Sequence, residues 1–91
     1  MLVTVKIPVA LLQYTGNESE VQSEAYTVEE LLRNLDKRFP GLRAFIVNEN
    51  GQLRRYVSIF VNEGDIRSGD GLTTKLKEAD RVSIVPLVAG G

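Results

Sequence analysis

The sequence contains no cysteine and no histidine. Their absence removes disulfides, thiolate nucleophiles and the commonest zinc ligands. It also removes the Ser-His and Cys-His pairs that activate most side-chain nucleophiles. Charge of one sign is lacking too: 11 basic residues against 12 acidic ones leave a net charge of −1, so no global positive field favours nucleic acid. Arg54-Arg55 is the nearest thing to a basic cluster and reads as a solvated strand end. No apolar run approaches the ~20 residues needed to span a bilayer. Met1-Leu2-Val3-Thr4-Val5-Lys6 lacks the charged-then-apolar layout of a secretory signal. The expectation is a cytoplasmic protein with neither a nucleic-acid nor a membrane partner. At 91 residues it is one domain with one modest core. A chain this small without those reactive groups is a poor candidate for a self-contained enzyme, and no catalytic side chain, metal or bound cofactor is expected.

What is present is periodicity. Val3, Val5 and Ile7 alternate with Thr4 and Lys6, which predicts a half-buried strand that Pro8 ends by removing a donor. Thr15-Gly16-Asn17 signals a turn, and a weakly alternating strand at an edge is expected from about Ser19 to Ala25. Thr27 followed three residues later by Glu30 has capping-box spacing. Behind it Val28, Leu31, Leu32, Leu35 and Phe39 form an apolar stripe at helical intervals, predicting a helix over Val28–Arg38 that Pro40-Gly41 stops. Lys37 and Arg38 suit the negative end of its dipole. Leu42 to Val47 predicts a short helical turn, and Asn48 to Gly51 a loop.

Further on, Arg55 to Val61 predicts a strand with Val57, Ile59 and Val61 on one face. Asn62-Glu63-Gly64-Asp65 is a turn, with a short strand expected to begin at Ile66. Leu72 to Leu76 suggests a single helical turn, with Leu72 and Leu76 facing inward. Arg81 to Pro86 closes the series as a strand in which Val82 and Ile84 face the core. One amphipathic helix can bury its stripe only against one face of the sheet. The expected fold class is therefore α+β, a mixed sheet with one main helix packed across one face and the first and last strands paired in parallel at its centre.

Acidic residues offer no metal site on this reading. Glu18, Glu20 and Glu24 share one face of a strand and read as a solvated edge. Asp65 and Asp70, with Gly64, Gly69 and Gly71, lack the ligand spacing of a calcium loop, and Gly69-x-Gly71 lacks the rest of a phosphate loop. The distinctive feature is the ending, Leu87-Val88-Ala89-Gly90-Gly91. Without a Cβ, the last two residues can thread a narrow channel and let another backbone approach closely. Five residues beyond Pro86 reach at most about 16–18 Å when extended, so the main-chain carboxylate of Gly91 could enter an enzyme while the globular body stays outside. The expected organisation is a domain over 1–86 and a flexible tail over 87–91.

Arg55-Tyr56-Val57-Ser58-Ile59-Phe60-Val61-Asn62, followed by Glu78-Ala79-Asp80-Arg81-Val82-Ser83-Ile84-Val85-Pro86-Leu87-Val88-Ala89-Gly90-Gly91, resembles the sulfur carriers of the ubiquitin-like β-grasp superfamily. These include the small subunit of molybdopterin synthase, the thiazole-biosynthesis carrier and the carrier linked to a cysteine synthase. The Leu53–Asp70 stretch and the Pro-x-Val-Ala-Gly-Gly ending look most like the last of these. Leu87 stands where the molybdopterin subunit usually has a second proline. The resemblance implies a β-grasp fold and a carrier that is not itself an enzyme. It implies adenylation of Gly91 by an E1-like adenylyltransferase/sulfurtransferase using ATP and magnesium, conversion to a thiocarboxylate, and donation of the sulfur to a PLP-dependent cysteine synthase or a molybdopterin synthase large subunit. Gly90, Ala89 and Val88 would form the threading tail of a protein that is monomeric when free. Tyr56, Phe60, Val85 and Leu87 share one strand face and are expected to form an apolar partner patch at the base of the tail. Two alternatives share these features: a protein modifier conjugated through Gly91 to lysines, and a non-covalent interaction module.

Overall fold

The computed structural model describes residues 1–87. The elements run β1 (Leu2–Lys6), β2 (Glu20–Glu24), α1 (Val28–Arg38), α2 (Leu42–Ile46), β3 (Val57–Val61), β4 (Gly64–Asp65) and β5 (Arg81–Pro86). Short 3-10 turns occupy Val9–Tyr14, Ile66–Ser68 and Gly71–Thr73. The strands form one mixed sheet in the order β2-β1-β5-β3-β4. β1 and β5 pair in parallel, with Val5 opposite Val82, and the other pairings are antiparallel. This is the β-grasp arrangement, with α1 crossing one face.

The α1 stripe forms the centre of the core. Val28, Leu31, Leu32 and Leu35 are buried against Val3, Val5, Val57, Ile59, Val82 and Ile84 of the sheet. Thr27 Oγ1 accepts from the Glu30 N–H at 3.2 Å and caps the helix. Glu30 Oε1 reaches back one residue further than a capping box requires, accepting from the Tyr26 N–H at 2.7 Å. The N-terminal turn is also tied to the strand side of the molecule, because Val28 N–H donates to the Thr74 carbonyl and Leu76 N–H to the Tyr26 carbonyl. At the other end, Asn34 Nδ2 donates to the Glu24 carbonyl at 2.7 Å and the Arg38 guanidinium to the Gln22 carbonyl. Those carbonyls belong to the outermost strand, so α1 covers part of the free edge of β2.

Several expectations need correction. The short strand is Gly64–Asp65, before Ile66, which is buried in a 3-10 turn. Asp65 forces that change: its carboxylate accepts from the Arg67 N–H at 2.9 Å and caps the turn. The late helical turn is centred earlier than expected, over Gly71–Thr73, and leaves Leu76 buried but Leu72 only partly so. Val61 is half-buried, since its cross-strand neighbour Gly64 carries no side chain to cover it. The 3-10 turn at Val9–Tyr14, which carries no periodic signal in the sequence, buries Leu11.

Pro86 sits where a proline costs the sheet nothing. Leu87 N–H donates to the Tyr56 carbonyl of the β3 side, so the preceding residue faces the other way, where β1 has already ended at Lys6. That bond carries the β3–β5 ladder one residue past Pro86. The flexible tail is expected to begin at Leu87, whose N–H is instead bonded to the sheet; the rest of it, Val88 to Gly91, lies outside the described residues.

Two substitutions test this packing. Leu32→Ala should cost about 2–5 kcal/mol, the range for truncating a fully buried leucine; a loss near zero in chemical denaturation would mean the stripe is misassigned. Ala79 holds a left-handed φ of 68° in the turn before β5, a conformation that penalises residues with a Cβ. Ala79→Gly should therefore raise stability by roughly 0.5–1 kcal/mol once the larger chain entropy of glycine is discounted. An unchanged or lowered denaturation midpoint would show that this turn stores no strain.

Candidate functional site

The site is the place where the last strand leaves the sheet. β5 runs antiparallel to β3, pairing Pro86 with Val57, Val85 with Ser58 and Ser83 with Phe60. The end of β5 therefore lies beside the beginning of β3 and the segment Arg54-Arg55-Tyr56. Side chains alternate across a strand. Val57, Ile59, Val82 and Ile84 take the core face, which leaves Ser58, Phe60, Ser83 and Val85 on the outer one. Leu87 and Tyr56 continue that face at the exit and are 50% and 49% exposed.

Of the four residues expected to form the patch, Phe60 and Val85 are thus on the β3–β5 pair and Tyr56 and Leu87 lie just beyond its end, though not as an unbroken apolar surface. Tyr56 precedes β3, and its ring meets Phe45 of α2 edge-on, with centroids 6.3 Å apart and planes at 80°. Ser58, between Tyr56 and Phe60, is only 5% exposed. Arg67 lies across it: one guanidinium nitrogen donates to Ser58 Oγ at 3.1 Å and the other to the Arg54 carbonyl at 2.6 Å. Arg54 is itself anchored, donating Nε–H to the Ala44 carbonyl at 3.0 Å. Phe45, Arg54 and Arg67 were missed as site residues. No periodic signal marks them, since they reach the exit from α2, from the loop before β3 and from a 3-10 turn.

The other sequence features play structural parts. Glu20 pairs with Arg81 at 3.1 Å across the sheet, and no cluster of metal-ligating side chains occurs among the described residues. Asp80 closes the turn into β5, accepting from the Lys77 N–H at 2.8 Å and from Asn62 Nδ2 at 3.0 Å. The chemistry proposed from the sequence falls on Gly91, with Val88, Ala89 and Gly90 leading to it, all outside the described residues. What the described residues provide is a rigid exit: a central strand, a bonded Leu87, an aromatic pair and a bridging arginine.

No helix among the described residues is long and apolar enough to cross a membrane.

Comparison with known proteins points the same way. Residues 5–91 match the ThiS family. The chain is 36% identical over 93 aligned residues to the sulfur carrier protein CysO of Mycobacterium tuberculosis, with all of both chains covered. It is 35% identical over 91 residues to a putative sulfur carrier protein of Archaeoglobus fulgidus, again with full coverage of both. Among solved structures, the Amycolatopsis orientalis BexX/CysO complex contains a chain that superposes with a TM-score of 0.92 at 38% identity, covering 98% of this chain and 99% of its own. A match that runs from within β1 to Gly91 leaves one conclusion: this chain belongs to the ThiS family.

Proposed function

We propose that the chain is a sulfur carrier that works through the main-chain carboxylate of Gly91. The observation that carries this reading is that the family match runs through the terminal Gly90-Gly91 rather than stopping at the folded body. The end-to-end similarity to proteins named as sulfur carriers supports it.

A free carboxylate is a poor acyl donor. In the proposed cycle a Gly91 carboxylate oxygen attacks the α-phosphorus of ATP on an E1-like, magnesium-dependent enzyme, and pyrophosphate leaves. Hydrosulfide (HS−) bound by that enzyme then attacks the acyl carbon of the adenylate, forming the C–S bond as the C–O bond to AMP breaks, and loss of the remaining proton leaves a thiocarboxylate on Gly91. Dividing one hard substitution into two easier ones is the advantage of the activated intermediate. The carrier is the substrate of both steps and catalyses neither. Its own contribution is delivery: the sheet holds Leu87 at a fixed exit, and Val88-Ala89-Gly90-Gly91 carries the reactive atom into the partner. Small side chains suit that path, because a Cβ or anything larger on the last residues would widen the channel required.

The acceptor is read from the same resemblance. A PLP-dependent cysteine synthase ranks first and a molybdopterin synthase large subunit second. The structural likeness to a chain from the BexX/CysO complex supports a partner protein of some kind docked on this fold.

Appending one residue after Gly91, or making Gly90→Trp, should abolish ATP-dependent sulfur transfer and leave the thermal midpoint unchanged. Retained transfer by both variants would contradict a threading tail. Mixing the charged carrier with each acceptor ranks them: sulfur should pass to an activated serine derivative on the cysteine synthase. Stable association with a molybdopterin synthase large subunit, and no transfer to the serine derivative, would reverse the order.

A further inference from the structure

The arginines around the tail exit are not used by the carrier chemistry. Arg54 and Arg55 immediately precede Tyr56, and Arg67 reaches the same place from the turn after β4. Among the described residues the ion pairs are Glu29 with Arg33 and Glu20 with Arg81, and neither involves these three arginines. The nearest carboxylate in sequence to Arg67, Asp65, is engaged by the Arg67 backbone N–H. On the outer sheet surface Glu20 and Glu24 stand on β2, at the far edge from β3, and Asp65, opposite Phe60 on β4, is the acidic strand residue beside β3. Arg54 shares a cavity with Asp36 and Glu49, so the positive charge free for a partner where the tail leaves rests on Arg55 and Arg67.

Arg67 is also held in place. Its guanidinium makes bonds to Ser58 Oγ and to the Arg54 carbonyl, yet the residue remains exposed. A guanidinium has five N–H donors in a fixed fork, so donors remain for a ligand. The side-chain entropy that a surface arginine ordinarily loses on binding is already spent in the free protein. A planar, pre-positioned fork suits a carboxylate better than a lone point charge does. Val85 lies opposite Ser58 on the same outer face, so the cation borders the apolar residues at the exit.

We propose that Arg55 and Arg67 form a carboxylate-docking pair, and that the enzyme admitting the tail carries acidic side chains around the mouth of its channel. Arg67, fixed by Ser58, sets how the carrier body is seated as the tail enters. The proposal rests on the carrier reading, which requires an enzyme that admits the tail. Protein carboxylates are favoured over a nucleic-acid backbone, because a long polyanion tracking across this sheet would meet Glu20 and Glu24.

The test uses the full chain and the purified adenylating enzyme of the same host, followed by stopped-flow association and by ATP-dependent adenylate formation. The association rate constant should fall as salt is raised, and Arg55→Glu combined with Arg67→Glu should lower it about tenfold or more at low ionic strength while flattening the salt dependence. Arg67→Lys keeps the charge but loses the fork, so it should leave association within about twofold and speed dissociation several-fold. Ser58→Ala, which frees Arg67 without removing it, should likewise act on dissociation; Lys37→Gln on the outer side of α1 should change neither rate. Circular dichroism and thermal midpoints confirm that each variant is folded. Wild-type kinetics in the folded charge-reversal variant would overturn the proposal while leaving the carrier reading intact. So would arginine-dependent binding of bulk host tRNA together with salt-insensitive enzyme association. A wild-type chain that is neither bound nor adenylated would sink both.

Discussion

Between β1 and β5 the backbone pairs Thr4 with Arg81, Val5 with Val82 and Lys6 with Ser83, and this short parallel ladder joins the first strand of the chain to the last. Everything else is arranged around it. Parallel neighbours need a crossover, and the intervening chain supplies α1, whose stripe covers the inner face of both central strands. With β5 enclosed by β1 on one side and β3 on the other, the C-terminal segment starts from the most restrained part of the sheet. Small turns reinforce the ladder: Thr4 N–H donates to the Asp80 carbonyl and Ala79 N–H to the Leu2 carbonyl. A carrier whose reactive atom lies at its terminus gains from this placement, because body and tail are joined at a defined point.

The two faces of the sheet then divide the work. The inner face is apolar and closed. The outer face at the tail end mixes Tyr56, Phe60, Val85 and Leu87 with a buried serine hydroxyl bound by an arginine. Burying a hydroxyl without a partner would cost about 1–3 kcal/mol, so the Arg67 bond both satisfies Ser58 and holds a cation beside the exit.

Elements with long, regular patterns were legible in the sequence. The helix Val28–Arg38, its Thr27 cap and the strand Arg81–Pro86 have the bounds that periodicity and capping chemistry imply. The residues expected on core faces are buried except Phe39, Val61 and Leu72, which are partly so. Short elements were not legible. Leu11 and Ile66 are buried by contacts with distant parts of the chain, and a three-residue 3-10 turn has no period to read. β3 begins at Val57 rather than Arg55, because the Val57 N–H bonds back to the Arg54 carbonyl in a turn. At the site, strand parity correctly placed Tyr56, Phe60, Val85 and Leu87 on one face. The bridge from Arg67 to Ser58, and the Phe45 ring against Tyr56, depend on tertiary approach and left no local signature.

If the fold exists to present Gly91, its chemistry should be visible on the chain itself. The most direct measurement is the intact mass of the protein purified from its own host under sulfur-replete conditions, with the modified atom located by alkylation and fragmentation. A fraction of chains should carry sulfur in place of one terminal oxygen of Gly91. Alkylation should then label the terminus of a chain that has no cysteine to react. Finding no such form, with Gly91 instead joined to lysines of other proteins, would contradict the carrier reading.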